Sequence, residues 1–138
     1  MTLSTLQFVA DAPSGHVNNV QYMDFLERAR KDWYYFCRLT GVEAMVVHVS
    51  ASYKKETFDK EQLTITTTLT KIGNTSFTLH QVITNCKDDI VVDAEIVLAV
   101  VNIETRKKTS VPTQVRSLLE EETTLSSVME EYSLKNFR

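Results

Sequence analysis

The period of apolar and polar positions changes twice along the chain, and the changes predict its elements. Leu6 and Phe8 alternate with Thr5 and Gln7, which predicts a short strand over Thr2 to Val9. Asp11-Ala12-Pro13-Ser14-Gly15 breaks that pattern, because proline and glycine together favour an irregular loop. From about Asn18 to Thr40 the period is helical: Tyr22, Leu26, Ala29, Trp33 and Phe36 draw one apolar stripe. Asn18 or Asn19 suits the N-cap, and Gly41 suits the left-handed residue beyond the last turn. Asp24 and Glu27 precede Arg28, Arg30 and Lys31, the order that the helix dipole prefers.

After Gly41 the period becomes two. Met45, Val47, Val49, Ala51 and Tyr53 alternate with Val46, His48, Ser50 and Ser52, a second strand followed by a charged connection over Lys54 to Glu61. Gln62 to Ile72 places Leu63, Ile65, Thr67 and Leu69 on one face. Gly73-Asn74 signals a hairpin, and Ser76 to Cys86 returns with Phe77, Leu79, Gln81 and Ile83 on one face. Lys87-Asp88-Asp89 turns again into a β-branched strand, Ile90 to Ile103, apolar enough on both faces to be central in a sheet. Glu104 to Lys108 is a polar turn, in which the basic run from Arg106 most simply solvates the surface. Pro112 opens a short helix over Thr113 to Glu122. One long helix beside a run of turn-linked strands is an α+β layout with an antiparallel sheet. Residues 1–122 read as one domain, and 123–138 as a polar tail or surface helix. One helix covers only part of a sheet, so remaining apolar surface and edge strands are expected to meet a second copy of the chain.

Composition narrows the class. A length of 138 residues with 43% hydrophobic side chains is enough for one domain with its own core. A net charge of −3 argues against an acidic disordered tail and against a generic nucleic-acid binder. No stretch approaches the roughly 18 apolar residues of a membrane span. The first residues carry neither a basic leader nor a long apolar region, so a cytoplasmic location is expected. Cys37 and Cys86 lack metal-ligand spacing, so neither a disulfide framework nor a metal site is expected.

The stretch from Asp11 to Arg30, DAPSGHVNNVQYMDFLERAR, carries the chemistry. It places an acid, a glycine, a histidine and two asparagines at the mouth of the long helix. Helix N-termini present free N–H groups and partial positive charge, the donors that polarise a carbonyl oxygen as it becomes an oxyanion. From the residues alone, a capped helix start with His16 and Asn18 as turn residues explains the pattern equally.

GHVNN followed by V-x-Y and F-L-E-R-A-R resembles the hot-dog fold acyl-CoA thioesterases of the 4-hydroxybenzoyl-CoA thioesterase type. ASYKKETFDKEQLTI, the hairpin Ile72-Gly73-Asn74-Thr75-Ser76-Phe77 and the stretch Ala94 to Leu119 extend the resemblance over nearly the whole chain. It implies a sheet wrapped around the long helix, subunits joined as a homodimer or homotetramer, and active sites at their interface. It implies a hydrolase that cleaves acyl-CoA or an acyl-carrier thioester, without metal or redox cofactor, and with no nucleic-acid or membrane partner.

In that family the catalytic aspartate lies three residues before the glycine of the motif. Here that place holds Ala12; Ala10 stands where a second acid often occurs, and Asp11 lies between them. By the resemblance, Asp11 activates water or attacks the thioester, its one-residue offset absorbed in the loop, and the Asn19 N–H stabilises the oxyanion. His16 and Asn18 shape the loop or position water, Gly15 allows close backbone approach, and Tyr22 lines the acyl pocket. Lys54, Lys55 and Lys60 are the cations for the nucleotide end of the substrate. The alternative is a non-catalytic acyl-thioester binding protein that has lost the usual acid. A hot-dog dehydratase is disfavoured by the setting of His16.

Other reactive side chains read as structural. Glu27 pairs with Arg30 or Lys31. His48 and His80 have no partner at a recognisable spacing, Cys37 continues a helix face into the core, and Trp33 to Phe36 packs in the core or a dimer.

Overall fold

The protein is described by a computed structural model covering residues 1–136. Its strands are β1 (Leu3–Val9), β2 (Val42–Tyr53), β3 (Gln62–Ile72), β4 (Ser76–Asn85) and β5 (Ile90–Asn102). They form one sheet in the order β1-β3-β4-β5-β2, with every neighbouring pair antiparallel. Helices α1 (Asn19–Ala29) and α2 (Lys31–Leu39) follow β1, and α3 (Thr113–Arg116) and α4 (Leu125–Asn136) follow β5.

The two-residue period decides what the sheet buries. Leu63, Ile65, Thr67 and Leu69 of β3 and Phe77, Leu79, Gln81 and Ile83 of β4 are inaccessible, as the alternation predicts. The same face of β5 adds Val92, Ala94, Ile96 and Leu98. Against it lies the helical stripe, with Tyr22, Leu26, Ala29, Trp33 and Phe36 all buried. The Trp33 indole Nε1 donates to Ser4 Oγ at 2.8 Å, tying the helical layer to β1.

Two helices differ from the sequence expectation. The predicted helix over Asn18 to Thr40 divides at Arg30, which has φ −92° and ψ −3° and whose N–H bonds the Glu27 carbonyl three residues back, a tighter turn than the α-helix. The reason lies in the side chain, which is buried. Its guanidinium donates to Glu27, to Gln81 Oε1 at 2.8 Å and to Tyr34 Oη at 3.0 Å, so it runs inward from the stripe rather than out to solvent. The last predicted helix is also shorter, ending at Arg116 before a tighter turn over Ser117–Leu119.

Residues after Thr123 form α4, whose Tyr132 donates to the Leu39 carbonyl at 3.0 Å and stacks edge-on to Phe36. The tail expected over 123–138 includes Phe137 and Arg138, which lie outside the described residues. Among the described residues no helix is long and apolar enough to cross a membrane.

Strand β2 occupies the sheet edge opposite β1 and is the least covered. Met45, Val46, Val47, Val49 and Tyr53 are exposed, and its pairing with β5 slips between Val46 and His48. A long edge strand carrying exposed valines is a ready surface for another strand.

Cys37 packs against the core, and burial pushes its thiol up to about 12. A thiol so far above neutral pH carries almost no thiolate, whereas Cys86 is exposed. A thiol reagent should therefore label the native protein once, at Cys86, with Cys37 reacting only on unfolding. Rapid labelling of a Cys86→Ser variant in buffer would show that the core opens there.

Candidate active site

The site is assembled where the loop after β1 enters α1. Asn18 is the N-cap, in extended conformation, and its Oδ1 accepts the Gln21 N–H at 2.9 Å. Gln21 Oε1 accepts the Asn18 N–H in return at 3.0 Å, completing a capping box. Among the described residues nothing accepts the N–H groups of Asn19 and Val20, at an exposed, positively polarised helix end. Asn18, expected to shape the loop or position water, has its side-chain oxygen committed to the cap.

The loop is shaped by a turn from Ala12 to Gly15, closed by the Gly15 N–H donating to the Ala12 carbonyl at 2.8 Å. Gly15 has φ +107°, a conformation that a side chain would strain, although no atom would obstruct a Cβ there. Ala10 and Ala12 are inaccessible while Asp11 between them is exposed. The Asp11 carboxylate thus points to the open side of the loop.

The segment after β2 packs beside this loop. The Val17 N–H donates to the Thr57 carbonyl at 2.9 Å, Asp59 N–H to Gly15 O at 3.1 Å, and Lys60 N–H to Ala10 O at 2.8 Å. The result is a pocket of about 310 Å³ lined by His16, Val17, Tyr22, Tyr53, Lys54, Lys55 and Glu56. His16 and Lys54 face it from the rim. Lys55 also pairs with Asp89 at 2.8 Å, and Asp89 is held below the usual carboxylate range by that hydrogen bond first. Lys60 does not reach the pocket and occupies a left-handed turn position.

Two hydroxyls at the site are buried without a hydrogen-bond partner among the described residues: Tyr22 Oη and Thr57 Oγ1. The Tyr22 ring leans on Tyr53, centroids 5.5 Å apart, so the pocket has aromatic walls. A buried hydroxyl left unpaired costs about 1–3 kcal/mol, which a polar atom of a bound ligand or water would offset.

The pocket brings His16, Tyr22, Lys54 and Lys55 together, while Asp11 and Gly15 lie in the adjoining loop and Asn19 opens α1, and none of these three, nor Lys60, lines the pocket. Sequence reasoning missed Gln21, Tyr53, Thr57 and Asp59. For Gln21 a signal existed, since Gln three residues after an Asn cap has capping-box spacing. For Thr57 and Asp59 none did, because their contacts join stretches some 45 residues apart in the chain. Glu27 pairs with Arg30, and His80 with Asp93 at 2.7 Å on the outer sheet face, both away from the pocket.

Comparison with known proteins places this geometry in context. The sequence pattern of the thioesterase-like superfamily matches residues 10–119. Long-chain acyl-CoA thioesterase FadM of Escherichia coli (strain K12) is 30% identical over 113 residues, covering 77% of this chain and 86% of that protein. The structure of YbaW from Escherichia coli is similar with a TM-score of 0.74 at 27% identity, covering 85% of this chain and 96% of that one. Slr0204, a 1,4-dihydroxy-2-naphthoyl-CoA thioesterase from Synechocystis, shares the fold with a TM-score of 0.72 at 14% identity, covering 87% and 97% of the two chains.

Proposed function

The chain belongs to the thioesterase-like superfamily, and from that membership we propose that it hydrolyses acyl-CoA to the free acid and coenzyme A at the mouth of α1. One observation carries the siting: the open first turn of α1, whose Gln21 bonds the Asp11 carbonyl, adjoins a pocket with aromatic walls and two lysines in its lining. A thioester carbonyl directed at Asn19 would receive a donor where negative charge develops. Asp11 then activates water for attack, or attacks the carbonyl carbon itself to form an anhydride that water afterwards hydrolyses; in both routes the thiolate of coenzyme A leaves and the free acid is released. Asp11 lies in the loop beyond the end of β1 at Val9, where a one-residue offset does not turn over a strand face, and this supports its role. His16 shapes the rim, Tyr22 lines the acyl pocket, and Lys54 and Lys55 attract the phosphates of the substrate.

In this reading the working unit is a homodimer in the cytoplasm. The exposed apolar edge of β2 ends at Tyr53, on the wall of the pocket, so a second copy seated on that edge would border the site. Val47→Lys should then halve the mass measured by light scattering and weaken hydrolysis. Retained dimer mass would place the interface elsewhere.

The test of the activity is release of free thiol from a panel of aliphatic acyl-CoA and aroyl-CoA esters. Turnover of one class above the blank supports the hydrolase and identifies the acyl preference. Tight binding of an ester without turnover would instead favour an acyl-thioester binding protein, the reading that Ala10 and Ala12 in the place of acids keep in view.

A further inference from the structure

We infer that Gln21 and Asp59 are positioning residues for the Asp11 carboxylate, because together they grip both ends of the one peptide unit that joins Asp11 to Ala12. This inference rests on the role of Asp11 proposed above. Gln21 Nε2 donates to the Asp11 carbonyl at 3.1 Å, and Asp59 Oδ1 accepts the Ala12 N–H at 2.7 Å. A peptide unit is planar, so holding its oxygen and its hydrogen fixes its orientation. The peptide before Asp11 is held as well, through the Ala10 carbonyl that accepts the Lys60 N–H at 2.8 Å, so both planes flanking Asp11 are fixed and with them the direction in which its side chain leaves the backbone.

The two anchors come from separate, rigid places. Gln21 sits in the first turn of α1, and its amide is a fork: Oε1 serves the cap at Asn18 while Nε2 serves Asp11. Only a carboxamide does both, since a carboxylate accepts but cannot donate. The carbonyl next to the base is thus bonded to the same side chain that organises the helix mouth presenting the Asn19 N–H. Base and oxyanion donor are referenced to one group.

Asp59 comes from the connection after β2, itself fixed by hydrogen bonds. Its N–H donates to Gly15 O at 3.1 Å, and the neighbouring Lys60 N–H and Glu61 carbonyl bond the Ala10 carbonyl and N–H, each at 2.8 Å. Asp59 therefore spans the Ala12–Gly15 turn from within. It does not line the pocket, and its known contacts are with the loop backbone, which makes it a positioning group.

The need is physical. An exposed loop holding Pro13 and Gly15 would otherwise sample several orientations of Asp11, and misplacing a catalytic group by about 1 Å costs on the order of 100-fold in rate.

The experiment measures kcat and KM for thiol release, with melting temperature, on the full chain as wild type, Asp11→Asn, Gln21→Glu, Asp59→Ala, Asp59→Asn and the double variant Asp11→Asn/Gln21→Glu. A glutamate at position 21 keeps the capping box and turns the donor to Asp11 into a charged acceptor, so the Asp59→Ala and Asp59→Asn pair, equal in charge, reads positioning apart from that added charge. Gln21→Glu and Asp59→Ala should each lower kcat by about tenfold or more, with KM changed less than about twofold and, for Gln21→Glu, an unchanged melting temperature. Asp59→Asn, which still offers an acceptor oxygen, should recover most of the loss. In the Asp11→Asn background Gln21→Glu should add nothing, because the group it positions is gone.

Wild-type kcat in both Gln21→Glu and Asp59→Ala, with Asp11→Asn inactive, would overturn the clamp and leave the base assignment standing. Asp59→Asn as inactive as Asp59→Ala would overturn positioning by Asp59. Wild-type turnover in Asp11→Asn would overturn the base assignment and the clamp together.

Discussion

Asp11→Asn should lower turnover of acyl-CoA by about 10²–10⁴-fold, the range that a positioned general acid or base contributes. The substitution is nearly isosteric, and the side chain is exposed in a loop, so the core is untouched. The carbonyl bonded to Gln21 and the N–H bonded to Asp59 belong to the backbone and survive the change. What is removed is the charge that takes a proton from water or bonds to the acyl carbon. KM should change little, since the aromatic walls, the lysines at the rim and the Asn19 N–H are all retained. Single-turnover release of thiol, read beside the melting temperature, checks this directly. A rate within about twofold of wild type would remove Asp11 from the chemistry and direct attention to a water held by the helix mouth alone.

Gln81→Leu should be the most damaging single change to the fold. Gln81 is inaccessible in β4 and serves three partners: it accepts from Arg30 Nη1 at 2.8 Å and donates to the Leu26 carbonyl and to Thr67 Oγ1, each at 3.0 Å. Leucine fills the volume but answers none of them. A buried guanidinium then loses an acceptor, and its pairing with the exposed Glu27 carboxylate compensates only in part. Stranding buried polar partners of this kind costs about 3 kcal/mol, which for a domain of this size lowers the melting temperature by about 10 °C. Thermal unfolding followed by circular dichroism measures it. A shift of less than about 2 °C would mean that Arg30 finds another acceptor by relaxing the step between α1 and α2.

That network also marks a limit of sequence reading. Arg30 falls in a run of charges that suits the C-terminal half of a helix, so its pattern is that of a solvated surface residue. Gln81 falls at an apolar position of β4, where a polar side chain looks like an interruption. Each makes sense only beside the other, 51 residues away. The kink at Arg30 shares that cause and was equally hidden. By contrast Glu27 pairing with Arg30 was legible, because a helix brings residues three apart onto one face.

The site divides the same way. The cap at Asn18, the loop at Pro13 and Gly15 and the open helix mouth are local, written in residue types that favour one backbone shape. The offset of Asp11 from the usual place of the acid was visible too, but not its consequence. Where the Asp11 side chain leaves the loop depends on the partners that hold the peptide after it, and these are Gln21 and Asp59.

By itself the sequence determined the strand faces, the helical stripe, the order of elements and the loop-to-helix segment to which the chemistry is assigned by proposal. These follow from periods of two and about 3.6 residues and from local caps, whose physics acts over a few residues. Only the tertiary structure decided which polar groups are buried, where the helix bends, which lysines reach the pocket and what holds the peptide after Asp11. Those outcomes depend on hydrogen bonds and exclusion of water between segments far apart in the chain, and such pairings leave no period to read.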